Sequence, residues 1–213
     1  ACAPYRRLHL RDYNLESISN YNSNARHKLL AEVCYAAKHE GDLINTHYTP
    51  HQQKYKDTGT ASQLCTVLAR SFADIGDIVR GKDLYLGYDD KEKDRRRKLE
   101  ENLKTIFTQI YNDVTSGRTN GEAAKKHYED ATGNFFKLRE DWWYANRRQV
   151  WKAITCNAKG FNYLRQTACN GGSPTKGYCR CNGDQPNADN PNTDPPTYFD
   201  YVPQYLRWFE EWA

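Results

Sequence analysis

The chain has 213 residues, enough for one or two folded domains, with 13% aromatic residues, five Trp, no Met and a mean hydropathy of −0.98. Apolar content concentrated in a few large side chains under a polar surface excludes a disordered chain, and no apolar run is long enough to span a membrane. A net charge of +4 and a pI of about 8.6 are compatible with a polyanionic partner (nucleic acid, anionic lipid or sulfated glycan) without demanding one.

Residues 2–14, CAPYRRLHLRDYN, read as an irregular basic lead-in, because Pro4 opposes an early helix. A polar linker, 17–24, follows. Leu29, Leu30, Val33, Cys34 and Ala37 then form one helical stripe, which Gly41 is expected to end. Residues 45–59, with Pro50, read as an exposed loop. The spacing of Leu64, Cys65, Leu68, Phe72, Ile75 and Val79 predicts a helix over 60–80, stopped by Gly81. Residues 82–90 connect it to a third, long helix over 91–114, built on Leu99, Leu103, Ile106, Phe107, Ile110, Tyr111 and Val114. Its first turns, KEKDRRRK, hold no apolar residue and are expected to project into solvent beyond the bundle. A shorter, weaker helix is predicted over 122–130.

The stretch 135–156, FFKLREDWWYANRRQVWKAITC, carries three of the five Trp. Leu138, Trp142, Ala145 and Trp143, Val150, Ile154 recur at helical spacing, so this is the expected central pillar, with Trp142, Trp143 and Trp151 as core. Arg139, Glu140, Asp141, Arg147, Arg148 and Lys152 read as its solvated face. A short helix over 158–168 and a long loop over 170–197, mobile from 182 onward, are expected next. A last helix begins near Pro203, with Leu206, Phe209 and Trp212 spaced to dock on the pillar. No strand-like alternation is present, so the fold class is all-α.

Seven Cys point to an oxidising compartment and a disulfide-stapled fold: Cys2, Cys34, Cys65, Cys156, Cys169, Cys179 and Cys181 are the bridge candidates. Cys179 and Cys181 are too close in sequence to pair readily with each other. The odd count leaves at least one Cys whose partner is lost or lies outside the chain.

Five blocks, CAPYRRLHL, LLAEVCYAAKHEGDLI, ASQLCTVLARSFADIGDIVRGKDLYLG, FFKLREDWWYANRRQVWKAITC and YFDYVPQYLRWFEEWA, are more specific than periodicity. Together, and in order, they closely resemble the Duffy-binding-like alpha domain of the malaria parasite's erythrocyte membrane protein 1. The resemblance implies a helical Duffy-binding-like fold: residues 1–59 the remainder of a first subdomain and loop, 60–213 most of a second, with a third beyond Ala213. It implies display on the extracellular face of the infected erythrocyte, with the membrane reached only through the parent protein. It also implies an adhesive role, in rosetting or cytoadherence, toward heparan sulfate, blood-group sugars or complement receptor one. Variable loops (17–24, 51–59, 182–197) would face antibodies. In this family the first block usually reads LCDYN, with a Cys where this chain has Arg11; one of Cys2, Cys34 or Cys65 is then expected to lack its partner.

Enzymatic signatures fall short. Gly76 to Lys82 matches a phosphate-loop pattern but ends in Asp83, which lacks the hydroxyl for Mg²⁺ and repels phosphate. His39-Glu40 has no second His at metalloprotease spacing, the Cys lack paired CxxC, and no GxSxG elbow occurs. Asp74 and Asp77 read as ion-pair partners of Arg70 or Arg80 rather than as paired acids. No catalysis, cofactor or metal is expected. Nucleic-acid binding conflicts with the Cys usage. The candidates for glycan or polyanion contact are Lys91, Lys93, Arg95, Arg96, Arg97 and Lys98, whose cations span the faces of one or two helical turns. Arg6, Arg7, Arg147 and Arg148 are secondary candidates, with acids such as Asp141 or Glu140 as their expected partners; an antigenic scaffold with its receptor contacts elsewhere in the parent is the alternative reading.

Overall fold

The structure, a computed structural model, describes residues 2–18, 24–55, 64–117, 121–163, 165, 167–171, 175, 177–186, 190 and 192–213, and of residues 49–55 the backbone alone. Eight α-helices occur among them: α1 (Tyr5–Leu8), α2 (Tyr13–Glu16), α3 (Ala25–Tyr55), α4 (Leu64–Arg80), α5 (Asp90–Thr115), α6 (Gly121–Tyr128), α7 (Phe136–Ile154) and α8 (Gln204–Trp212). The expected linker at 17–24 falls largely outside the described residues, as does the end, 56–59, of the loop expected over 45–59.

Helix α4 is the innermost, with 14 of its 17 residues buried, because it packs against both α3 and α7. The three Trp of α7 are core, as their spacing predicts: Trp142, Trp143 and Trp151 are 4%, 0% and 2% exposed. Phe72 of α4 lies 5.1 Å, centroid to centroid, from both Trp143 and Trp151, an aromatic cluster that adds to the area burial. Gly76 makes room for it: a Cβ there would lie 2.7 Å from Trp143 Cζ2. Two of the residues read as the solvated face of α7, Arg139 and Arg147, are instead buried. Arg139 reaches Glu100 of α5 at 2.9 Å, while Ala145, assigned to the apolar stripe, is exposed.

Helix α3 does not end at Gly41 but continues to Tyr55, so the loop expected from residue 45 begins as helix. Gly41 serves a different purpose. It lies where α3 and α7 touch, and a Cβ would fall 2.0 Å from the carbonyl oxygen of Ile154. Only a residue without a side chain admits that approach.

No helix forms over 158–168 among the described residues. The segment instead runs beside residues 177–179 at an isolated parallel bridge between Phe161 and Tyr178: Cys179 N donates to Phe161 O at 3.0 Å and Gly160 N to Gly177 O at 2.6 Å. Phe161 and Tyr163 are buried here. The long loop is also better anchored than its composition suggests, since Asp184 and Thr193 are buried and Arg148 pairs with Asp194 at 2.6 Å.

Two disulfides hold this region, Cys65–Cys179 and Cys169–Cys181. Cys179 and Cys181 do reach different partners. Cys65 is paired, and the cysteines without a bridge are Cys2, Cys34 and Cys156; burial pushes the Cys34 thiol up to about 11, so it is a poor nucleophile at neutral pH. Cys65–Cys179 closes a separation of 114 residues, which in the chain-entropy account is worth about 4–5 kcal/mol. Replacing both cysteines by Ala is expected to lower urea-unfolding stability by about 3–5 kcal/mol; a loss under about 1 kcal/mol would mean that packing alone holds this region.

Helix α8 docks in the phase opposite to the expected one. Gln204, Arg207 and Trp208 face inward, whereas Leu206, Phe209 and Trp212 are 46%, 72% and 61% exposed. The reason lies on α4, which presents Asp74 and Asp77 to it. Arg207 Nη2 donates to Asp74 Oδ1 at 2.7 Å and to Asp77 Oδ2 at 2.5 Å. Gln204 Nε2 donates to Asp74 at 3.1 Å and Asp83 at 2.8 Å. Arg80 pairs with Asp77 as its helical spacing suggests, but the second carboxylate, Asp74, is met by Arg6 and Arg207 rather than by Arg70. Arg6 also bonds Glu211 at 2.9 and 3.0 Å, and Trp212 Nε1 donates to Cys2 O at 3.0 Å, so the two ends of the chain lie side by side.

Candidate functional site

The cationic residues of α5 begin at a capped terminus: the Asp89 carboxylate accepts from Glu92 N at 2.7 Å, satisfying an otherwise open amide. The turns that follow do not project beyond the bundle. Arg96 folds back onto the N-terminal segment, where its guanidinium bonds both oxygens of Asp12, Glu92 Oε1 at 3.0 Å and Glu16 Oε1 at 3.4 Å. Burial works against the Arg96 cation, but Asp12 and Glu92 outweigh it and hold its pKa above the ordinary value. Arg95 bonds Glu16 and Glu92, each at 2.9 Å, and lies 4.2 Å over the Tyr13 ring. These two arginines clasp α5 to α2.

The other cations of the cluster face solvent. Arg97 and Lys98 are 58% and 62% exposed and share Asp94, at 2.6 and 2.8 Å; Arg97 also meets Glu101 at 2.6 Å. Hydrogen bonds from Lys98 and Arg97 hold the Asp94 carboxyl below its usual range. Lys93 pairs with Asp90 at 3.2 Å. Lys91 is exposed, with no ion-pair partner among the described residues. Exposed pairs of this kind are worth little and exchange readily for another anion. Beside them runs a cleft of about 350 Å³ whose lining includes Tyr85, Leu86, Lys93, Arg96 and Arg97.

Arg147 and Arg148 part company. Arg147 is 3% exposed, bonds both oxygens of Asp200 at 2.7 and 2.9 Å, and donates to Thr197 O at 2.8 Å. Trp143 Nε1 donates to the same Asp200 at 2.8 Å, so Arg147 is part of the core and offers nothing to a ligand. Arg148 remains at the surface, paired with Asp194 rather than with Asp141 or Glu140.

A second concavity, which the linear charge pattern does not reveal, lies between the N-terminal segment and α3. Its volume is about 410 Å³, and Arg11, Tyr13, Asn14, Tyr35, His39 and Asp42 line it. The available signal was the pair Tyr35 and His39, one helical turn apart and off the apolar stripe of α3.

No helix among the described residues is long and apolar enough to cross a membrane, and no cluster of metal-ligating side chains occurs among them. The Duffy binding domain family model matches residues 1–207. Among solved structures, the chain is 43% identical to the NTS-DBL1(alpha-1) domain of Plasmodium falciparum membrane protein 1 (PfEMP1) from the varO strain, with a TM-score of 0.73, covering 100% of this chain and 43% of that one. The NTS-DBL1-alpha and CIDR-gamma double domain of the same strain is 41% identical, with a TM-score of 0.72, over 100% of this chain and 27% of that one. An ICAM-1-binding PfEMP1 DBLbeta domain is 30% identical, with a TM-score of 0.69, over 99% of this chain and 42% of that one. The chain therefore spans less than half the length of each of these solved chains. No curated protein matches it.

Proposed function

Since the chain belongs to the Duffy binding domain family, we propose that it forms part of an extracellular adhesion module that binds receptors on host cells, displayed on infected erythrocytes and acting without catalysis. The observation that carries this reading is its 30% identity, over 99% of its length, to a domain that binds ICAM-1. The receptor class we assign to the α5 surface is a sulfated glycan of the heparan sulfate type, engaged by Lys91, Lys93, Arg97 and Lys98. Their exposure and their weak, exchangeable acid partners support this. Arg95 and Arg96 contribute positioning instead.

The test is heparin affinity across a salt series. The triple variant Lys93→Glu, Arg97→Glu, Lys98→Glu is expected to lose heparin binding and the steep dependence on log salt that several simultaneous cation contacts produce. Its unfolding midpoint should fall only modestly, because the pairs with Asp90, Asp94 and Glu101 that the reversal turns repulsive are exposed and individually weak. Wild-type protein that ignores heparin at low salt supports the alternative, a scaffold and antigenic surface with its receptor contact elsewhere in the parent. That the chain spans less than half the length of these solved relatives favours that second reading.

A further inference from the structure

We propose that a row of tyrosines, on the face shared by α7, the approach to α8 and the connector after α4, is a docking surface for a proline-rich peptide in the polyproline II conformation. The inference goes beyond the glycan reading and rests on none of the α5 cations.

Tyr144 of α7, Tyr198 and Tyr201 before α8, and Tyr205 in its first turn are 69%, 50%, 41% and 52% exposed. They form one continuous surface. Tyr144 and Tyr198 line a hollow of about 130 Å³, and the Tyr198 and Tyr201 rings stand 6.3 Å apart. Tyr201, Tyr205 and the exposed Leu84 line a second hollow of about 290 Å³. The middle rings are braced from below. The buried Arg147 lies 5.0 Å from the Tyr198 ring centre and 5.4 Å from that of Tyr201, which Arg80 approaches to 5.3 Å. Both guanidiniums are held in turn by Asp200, Arg147 by its carboxylate and Arg80 by its carbonyl. Rings set in this way lose little freedom when a ligand arrives. None of the four hydroxyls has a hydrogen-bond partner among the described residues. Burial and the Asp200 charge push that of Tyr201 up to about 12, so it remains a donor at neutral pH.

These groups suit a proline-rich chain in both shape and hydrogen bonding. Flat aromatic faces take the pyrrolidine rings, and the hollows on either side of the Tyr198–Tyr201 pair receive the prolines that project from one side of the peptide. A polyproline II segment has three residues per turn and no internal hydrogen bonds, so its carbonyls are open to the four hydroxyl donors. Proline brings no N–H of its own, and the carboxylates of the face need none: Asp200 is held by Arg147 and Trp143, and Asp194 by Arg148. A helical partner keeps its carbonyls within its own ladder and would leave the hydroxyls unmatched. A strand partner needs an open sheet edge, and the described residues hold no strand beyond an isolated bridge.

Titration calorimetry of the folded chain with deca-proline tests this, against a Gly-Ser peptide and an amphipathic helical peptide of equal length. Deca-proline should bind at least about tenfold tighter than either. Tyr144→Ala and Tyr205→Ala, at the two ends of the row, should each weaken it about five- to tenfold, a loss typical of an aromatic contact residue. Tyr198→Phe keeps the ring, loses the donor and should cost about threefold. These positions are exposed, so the variants are expected to keep their fold, checked by circular dichroism. Equal affinity for the three peptides, preference for the helical one, or full deca-proline affinity in a folded double variant, Tyr144→Ala with Tyr205→Ala, overturns the proposal. The Lys93→Glu, Arg97→Glu, Lys98→Glu variant should bind deca-proline as the native chain does; a loss there would move the peptide to α5 and overturn it as well. A native chain that binds deca-proline but ignores heparin removes the glycan assignment alone.

Discussion

Replacing Arg207 by Leu is expected to lower the free energy of unfolding by about 3–5 kcal/mol, because it orphans charges inside the protein. Arg207 is 1% exposed and joins Asp74, Asp77 and the carbonyl of Val202. Its removal leaves two carboxylates on α4 short of a cation, with Arg6 and Arg80 as their remaining partners. By contrast, Phe209→Ser should change stability by no more than about 0.5 kcal/mol, although it is the apolar residue of the pair. Urea unfolding of the two variants decides the matter, and the reverse ranking would mean that α8 docks through its aromatic face.

The defect of the Arg207 variant also has a predictable pH dependence. In the native chain burial opposes the Asp74 charge, but Arg6, Arg207 and Arg7 outweigh it and hold the carboxyl below its usual range. A folded pKa below the unfolded value gives stability that is present above the carboxylate range and lost as pH falls through the folded pKa. Burial dominates at Asp77 and pushes its carboxyl up to about 6, so that group's contribution declines as pH rises from its unfolded value toward 6. Without Arg207 both carboxyls shift upward and take protons more readily. The difference between variant and native protein should therefore shrink as pH is lowered from neutrality toward about 5, within the range where such orphaned acids titrate.

Gly41→Ala is expected to destabilise by about 3 kcal/mol, the upper range for overpacking, where an open helix position would gain about 1 kcal/mol from the same change. The sign is decided by Ile154. Its carbonyl oxygen would lie 2.0 Å from the new Cβ and is backbone, not the end of a flexible side chain. To admit a methyl group α3 and α7 must separate, and both contribute to the aromatic and aliphatic core. Thermal unfolding of the single variant is sufficient; a rise in Tm would show that the helices part at little cost.

The sequence carries the core of α7 openly, because indole rings at helical spacing have few alternatives to burial. Sequence and structure part where burial is polar. Leu206, Phe209 and Trp212 form a convincing apolar stripe, and nothing local to α8 announces that Asp74 and Asp77, about 130 residues earlier, set its phase. Arg95 and Arg96 read as solvated for the same reason: their acids, Asp12 and Glu16, are 79 to 84 residues away in sequence. Gly41 reads as a stop because a glycine within a helical pattern has two meanings, a left-handed end or a close approach, and only the partner helix distinguishes them. The candidate polyanion residues thus divide by a property no linear charge count contains, whether a distant carboxylate has already claimed them. The family blocks made the overall architecture legible, but the groove beside Arg11 lies between segments whose apposition only the folded chain reveals.

The adjacency of the two chain ends bears on how the fold carries mechanical load. Trp212 and Cys2 touch, and Arg6 bonds Glu211 beside them. Sequence joined before Cys2 and sequence joined after Ala213 leave from one patch, so tension applied through both flanks runs across that short polar clasp. The helical core, with its Trp cluster and its bridge from Cys65 to Cys179, stands outside the line of force. Under shear the clasp is therefore expected to yield before the core, an early, low-force step when the chain is pulled by its two ends.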